Sequence, residues 1–217
     1  SFPTRRSSDL QSNSSKRRSH TCYRFSHKSL QEFFAGVHLS DQILKGETDF
    51  ERLLANERGN LMSLIPVLLF TVGILSRKSE HEALSILKII IKKTNLSKGW
   101  CSPNFYLYFA LNCIGECSTE NSRLRSQMIN LLGTNLELQS LIIYDDSFPI
   151  KLLVEALQVN STLTNLTISL PFFGDQCIVS LANMLQANKT LATVTIRTFG
   201  FVSAQGVQRL ADRKSVV

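Results

Sequence analysis

Two heptapeptides 28 residues apart are near-copies of each other: Leu157-Gln158-Val159-Asn160-Ser161-Thr162-Leu163 and Leu185-Gln186-Ala187-Asn188-Lys189-Thr190-Leu191. Repetition at a fixed period constrains a fold more tightly than composition, because each copy has to meet the same surroundings. Each copy runs into an apolar alternation: Leu163-Thr164-Asn165-Leu166-Thr167-Ile168 in one case and Leu191-Ala192-Thr193-Val194-Thr195-Ile196 in the other. A third unit begins at Asn135 and gives Leu138-Gln139-Ser140-Leu141-Ile142-Ile143. Period-two alternation rich in Thr, Val and Ile predicts a strand. Between the strands, Leu152, Leu153, Ala156 and Leu157 in one unit, and Val179, Leu181, Ala182 and Leu185 in the next, have helical spacing. Gly206–Ala211 starts one more helix.

A strand plus a helix of this length has apolar faces that only a stacked neighbour can cover, so the units must pack in series with their strands parallel. This is the spacing of a leucine-rich repeat, and residues 135–211 are expected to form about three of them in a short α/β solenoid. The Leu and Ile positions point inward. The residues between them point outward: Gln139, Ser140 and Ile142; Thr164, Asn165 and Thr167; Ala192, Thr193 and Thr195. That small, polar, weakly charged ladder is the expected partner-binding surface, suited to hydrogen bonding with a protein. The Asn ahead of each strand is expected to satisfy local backbone groups at a turn. Asn13, Asn95, Asn160, Asn165 and Asn188 all head Asn-x-Ser/Thr triplets, which would be glycan acceptors in a secreted protein; no signal peptide is visible in the sequence, so glycosylation is not the expectation.

The preceding stretch has a different period. Leu30, Phe33, Phe34 and Val37 form the stripe of an amphipathic helix. Ser29 and Glu32 have capping-box spacing, and the helix is expected to stop near Gly46. Further helices are expected at Phe50–Leu54, Glu82–Lys93, Phe105–Cys117 behind Pro103, and Ser122–Leu132. Leu61–Leu75 is the most apolar run, but it falls short of the ~20 residues of a membrane span and contains Ser63, Pro66, Thr71 and Gly73. A buried helix broken near Pro66, and no membrane span, is the expectation. The fold class is thus α+α/β: an all-helical block over 29–134, then the short parallel-stranded solenoid.

Charge is divided along the same line. Residues 11–134 hold 16 Lys and Arg against 10 Asp and Glu, whereas 135–211 hold 4 against 5. Lys16-Arg17-Arg18 is a dense basic run, but it sits among Ser and Asn and reads as a solvated loop, so no nucleic-acid partner is expected. The five cysteines are odd in number and scattered, which suits a reducing compartment and a cytoplasmic location. Cys113 and Cys117 lie four apart without companion ligands and are expected to be core thiols, so no metal is expected. Asp145-Asp146 reads as a polar turn. Both ends look foreign: Asp212–Val217 can be encoded by GATCGGAAGAGCGTCGTG, whose reverse complement read in another frame gives Arg5–Asp9. Residues 1–10 and 212–217 are therefore expected to be adapter-derived, and the natural protein to be interrupted at both ends.

Phe25-Ser26-His27-Lys28-Ser29-Leu30-Gln31-Glu32-Phe33 resembles the Phe-x-His-x-x-x-Gln-Glu-Phe motif of NACHT-type nucleotide-binding leucine-rich-repeat receptors. Phe70–Leu75 resembles the family's Phe-x-x-Gly-Leu-Leu stretch, and Leu111-Asn112-Cys113-Ile114-Gly115-Glu116 its Leu-x-Cys-x-x-Glu pattern. The resemblance runs from Cys22 to Ala211. It implies the end of a winged-helix domain over 11–28, a second helical domain over 29–134, and the first repeats beyond. It further implies an intracellular immune sensor switched by ATP or ADP in the parent, with His27 contacting a nucleotide phosphate once the NACHT domain is present. An ordinary capping or core histidine is the other reading of His27. The chain carries no Gly-x-x-x-x-Gly-Lys-Ser/Thr loop, so no cofactor and no enzymatic activity are expected of it. The implied partners are proteins: the receptor's own NACHT domain, other protomers, or a sensed ligand. A stand-alone leucine-rich-repeat binding module with a helical cap is the alternative.

Overall fold

A computed structural model of the chain describes residues 27–56, 61–97, 103–117, 121–171, 175–198 and 208. Six helices come first: α1 (Lys28–Leu44), α2 (Phe50–Asn56), α3 (Leu61–Lys78), α4 (Glu80–Leu96), α5 (Pro103–Glu116) and α6 (Ser122–Asn135). Strands and helices then alternate: β1 (Ser140–Ile143), α7 (Ile150–Leu157), β2 (Asn165–Ser169), α8 (Asp175–Ala187) and β3 (Thr193–Arg197). The strands form one parallel sheet in the order β1-β2-β3. A helical block followed by a small parallel sheet is the α+α/β class expected. Of the helix expected at 206–211, the described residue is Gln208, which is helical. The expectations for 1–10, 11–26 and 212–217 lie outside the described residues.

Two local expectations need correction. The capping box at Ser29 and Glu32 does not form. Helix α1 has already begun at Lys28, with His27 at the cap in an extended conformation (φ −122°, ψ 125°) and no capping bond from its side chain. Glu32 turns instead to Lys28, one turn back at 3.4 Å, because an i,i+4 cation lies on its own helix face. The serine cap appears elsewhere: Ser79 Oγ accepts the Glu82 amide at 3.4 Å to open α4. The break near Pro66 is also absent, and α3 runs unbroken through it. Proline there removes the amide that would reach the Met62 carbonyl, near an end where Met62 is 70% exposed. Beyond it, burial of Leu68, Thr71, Val72 and Leu75 holds the helix to its neighbours. With 18 residues and a mean hydropathy of 1.6, α3 is long and apolar enough to cross a membrane by length and composition. It packs against α1, α4 and α5.

Close helix contacts depend on glycine. A Cβ added at Gly36 on α1 would stand 2.7 Å from Phe70 Cβ on α3. One added at Gly133 on α6 would run into the Ala156 carbonyl oxygen and lie 2.6 Å from Val159 Cγ2, both in or just after α7. This second approach joins the helical block to the sheet region, and one apolar cluster runs without interruption from Ile43 to Val194.

Candidate functional site

The sheet is placed by two asparagines. Asn160 is buried just before β2: its amide donates to the carbonyls of Gly133 (2.9 Å) and Leu136 (2.8 Å), and its Oδ1 accepts from the amides of Thr162 (3.2 Å) and Leu163 (2.8 Å). Asn188 repeats this 28 residues on, donating to Leu157 (2.7 Å) and Asn160 (2.9 Å) and accepting from Thr190 (2.9 Å) and Leu191 (2.7 Å). Each carboxamide thus satisfies its own turn and the turn before it, as expected of a turn residue, with the added reach to the preceding unit. Asn135, in the matching position of the first unit, lies at the end of α6 and bonds within that helix. Its carbonyl is met instead by Asn95 of α4, whose Nδ2 donates to it at 2.8 Å while Oδ1 accepts the Glu137 amide at 3.0 Å.

This scaffold sets the register. Ser140 pairs with Asn165 and Asn165 with Thr193; Ile142 pairs with Thr167 and Thr167 with Thr195. Leu141, Ile143, Leu166, Ile168 and Val194 are buried against the helices. Of the nine sequence-predicted face residues, Ser140, Ile142, Asn165, Thr167, Thr193 and Thr195 alternate with these on the strands, whereas Gln139, Thr164 and Ala192 stand just before the strands, outside the alternation; Gln139, Ser140, Ile142, Asn165, Ala192 and Thr193 are exposed, and Thr164, Thr167 and Thr195 are partly so. The register brings the six strand residues side by side, but not all of the nine are free to act outward. The Thr164 hydroxyl donates to the Gln139 carbonyl at 2.9 Å, and the Asn165 amide donates to Thr164 Oγ1 at 3.1 Å. These two serve the strand-to-strand joint.

The alternation predicts three further members that the sequence reading omitted. Ser169 pairs with Arg197 at the ends of β2 and β3, and Tyr144, 65% exposed, follows β1. Applying the same period two residues further finds them. At this edge a cavity of about 280 Å³ opens between α3, α5 and the loop after β1. Asn104 of α5 ties that loop region down by donating to the Ile142 carbonyl at 2.6 Å. Asp145 Oδ1 accepts from the Ser147 amide (2.9 Å) and hydroxyl (2.7 Å), which holds its carboxyl below the ordinary range. The expected polar turn is therefore an ordered one.

His27 stands apart at the start of α1, exposed, so it is not a core histidine, and as noted its ring makes no cap. Cys113 and Cys117 are both buried in the helical core. Burial, then the neighbouring Cys117 and Glu116, raises the Cys113 thiol well above its usual value, and burial likewise raises Cys117. Among the described residues no three His, Cys, Asp or Glu side chains converge on a metal-sized site. Compared with family models, curated proteins and solved structures, the chain matches none.

Proposed function

We propose that this chain is part of a NACHT-type nucleotide-binding leucine-rich-repeat receptor, an intracellular immune sensor, in which it forms the second helical domain and the first repeats of a solenoid. Its work is contact, not catalysis. The exposed strand face packs on the receptor's own nucleotide-binding domain in the resting state, or meets another protomer or a sensed protein on activation. ATP or ADP belongs to the parent's NACHT domain, where His27 would add a phosphate contact, since an imidazole N–H donates well to phosphate oxygen.

The observation that carries this reading is the duplicated role of Asn160 and Asn188. Two buried side chains 28 residues apart, each donating to two carbonyls of the preceding unit and accepting from two amides of its own turn, are what a stacked, repeating unit requires. The helical block closing the first unit through Asn95 and Gly133 fits a repeat array that begins directly on a helical domain. A face dominated by Ser, Thr, Asn and Gln, with Arg197 as its cation among the described residues, favours a protein partner over nucleic acid, which calls for a dense basic stripe. The test is the complete transcript that encodes the chain. A phosphate-binding Gly-x-x-x-x-Gly-Lys-Ser/Thr loop in frame upstream is expected. A start codon near Gln11 overturns the proposal in favour of a free-standing repeat module.

A further inference from the structure

The cavity between α3, α5 and the loop after β1 is lined by four aromatic residues and by Asp145, which is exposed at its edge. Phe105 and Tyr108 come from α5, and Tyr144 and Phe148 from the loop. Phe148 is 7% exposed and packs on Tyr108 with ring centroids 6.0 Å apart at 52°, so this wall is anchored in the core. Tyr144, 65% exposed, stands at the mouth. Asp145 completes the lining, and no Lys or Arg shares it. Its Oδ1 is fixed by the two bonds from Ser147.

The lining chemistry narrows the occupant. Aromatic rings attract cations through their quadrupole, and a nearby carboxylate adds a charge of the right sign. An unmethylated ammonium or a guanidinium would have to replace several water hydrogen bonds on entering. The lining is mostly apolar and aromatic, since the side chains of Met62, Ile65, Phe105, Ile143 and Phe148 carry no strong acceptor, and Asp145 Oδ1 is engaged by Ser147. A methylated ammonium carries the same charge behind a shell of methyl groups that ask for no hydrogen bonds. A cavity of about 280 Å³ accepts a group of that size.

We propose that this cavity binds a methylated ammonium cation, its N-methyl groups against the aromatic residues and Asp145 as counter-ion. The inference does not depend on the receptor reading above. The test titrates the full chain with choline chloride and, separately, with 3,3-dimethyl-1-butanol, the neutral compound of the same shape. Choline is expected to bind about tenfold more tightly, and its N-methyl proton resonance to move upfield under the ring currents. Tyr144→Ala and Asp145→Asn should each weaken choline about tenfold without altering the thermal melt. Tyr144 is exposed, and asparagine retains the oxygen that accepts from Ser147. Trimethyllysine in place of choline, free and in a short peptide, separates the sources: tighter binding of the peptide points to a protein ligand, tighter binding of choline to a small molecule. Equal affinity for choline and the neutral isostere overturns the proposal, as does choline binding unaffected by both substitutions or absent at millimolar concentration.

Discussion

At Asn160 the carboxamide serves four backbone groups through three buried bonds and one half-buried, so truncation would strand the Gly133 carbonyl and two amides at once, while the Leu136 carbonyl keeps the Thr162 hydroxyl. Asn160→Ala is expected to lower unfolding free energy by about 3 kcal/mol in urea denaturation, since each buried polar group left unpaired costs about 1–3 kcal/mol and relaxation recovers part of that. Asn165→Ala, on the exposed face, should stay within about 0.5 kcal/mol. Both are Asn-x-Ser/Thr asparagines that look alike in the sequence. Position in the repeat separates them, because one precedes the strand and the other lies on its outer face. The thiols give a second residue-scale outcome. With Cys113 held protonated by burial, alkylation at neutral pH followed by peptide mapping should modify the half-buried Cys177 well before Cys113. The sign for stability follows from the raised value. Below the ordinary thiol value of 9.0 both folded and unfolded chains keep the proton. Above it the unfolded chain alone gains by ionising, so the Cys113 contribution to stability falls as pH rises. Cys113→Ser, whose hydroxyl does not titrate there, should flatten the alkaline loss measured by denaturation between about pH 8 and 10.

Among the elements, the strand faces were the most legible part, because a period of two and three aligned copies overdetermine which side is buried. Helix existence was legible as well, and α5 begins at the proline expected to start it. The ends were not. Ser29 and Ser79 both head a Ser-x-x-Glu pattern, yet only the second caps, because Lys28 competes for Glu32 at the first. Proline 66 misled for a related reason: a break depends on the tertiary packing beyond it, which local sequence does not display. The close approaches at Gly36 and Gly133 also left no signal, since a glycine inside a helix can equally be a tolerated weakness. They make a clear prediction. Gly36→Ala is expected to cost about 1–3 kcal/mol, as the Phe70 side of α3 must give way, whereas alanine in place of an exposed helical serine should stay within about 0.5 kcal/mol. Guanidinium melts of Gly36→Ala beside Ser126→Ala, on the outer face of α6, check the contrast. Two mutants of equal stability would mean that α1 and α3 are not packed so tightly.

Across the molecule, the helices and the sheet share one apolar cluster, and α5 and α6 both lie against α7. The two regions with opposite sequence periods should therefore unfold together. A single transition is expected, coincident by far-UV circular dichroism and by hydrogen exchange at Leu87 in α4 and Ile168 in β2; two separated transitions would show that the interface contributes little. What the sequence could not reveal at this scale is how the regions meet, since nothing in it ties Asn95 or Gly133 to the repeats. Yet Asn95 fixes something that the repeats cannot fix for themselves. A row of near-identical strands could slide along by one copy and keep most of its bonds, as a ruler can be shifted and still read evenly. Because the Asn135 carbonyl and the Glu137 amide are taken by a side chain from α4, which has no duplicate in the sheet, sliding would leave that pair facing the wrong loop. The helix supplies the zero from which the strands are counted.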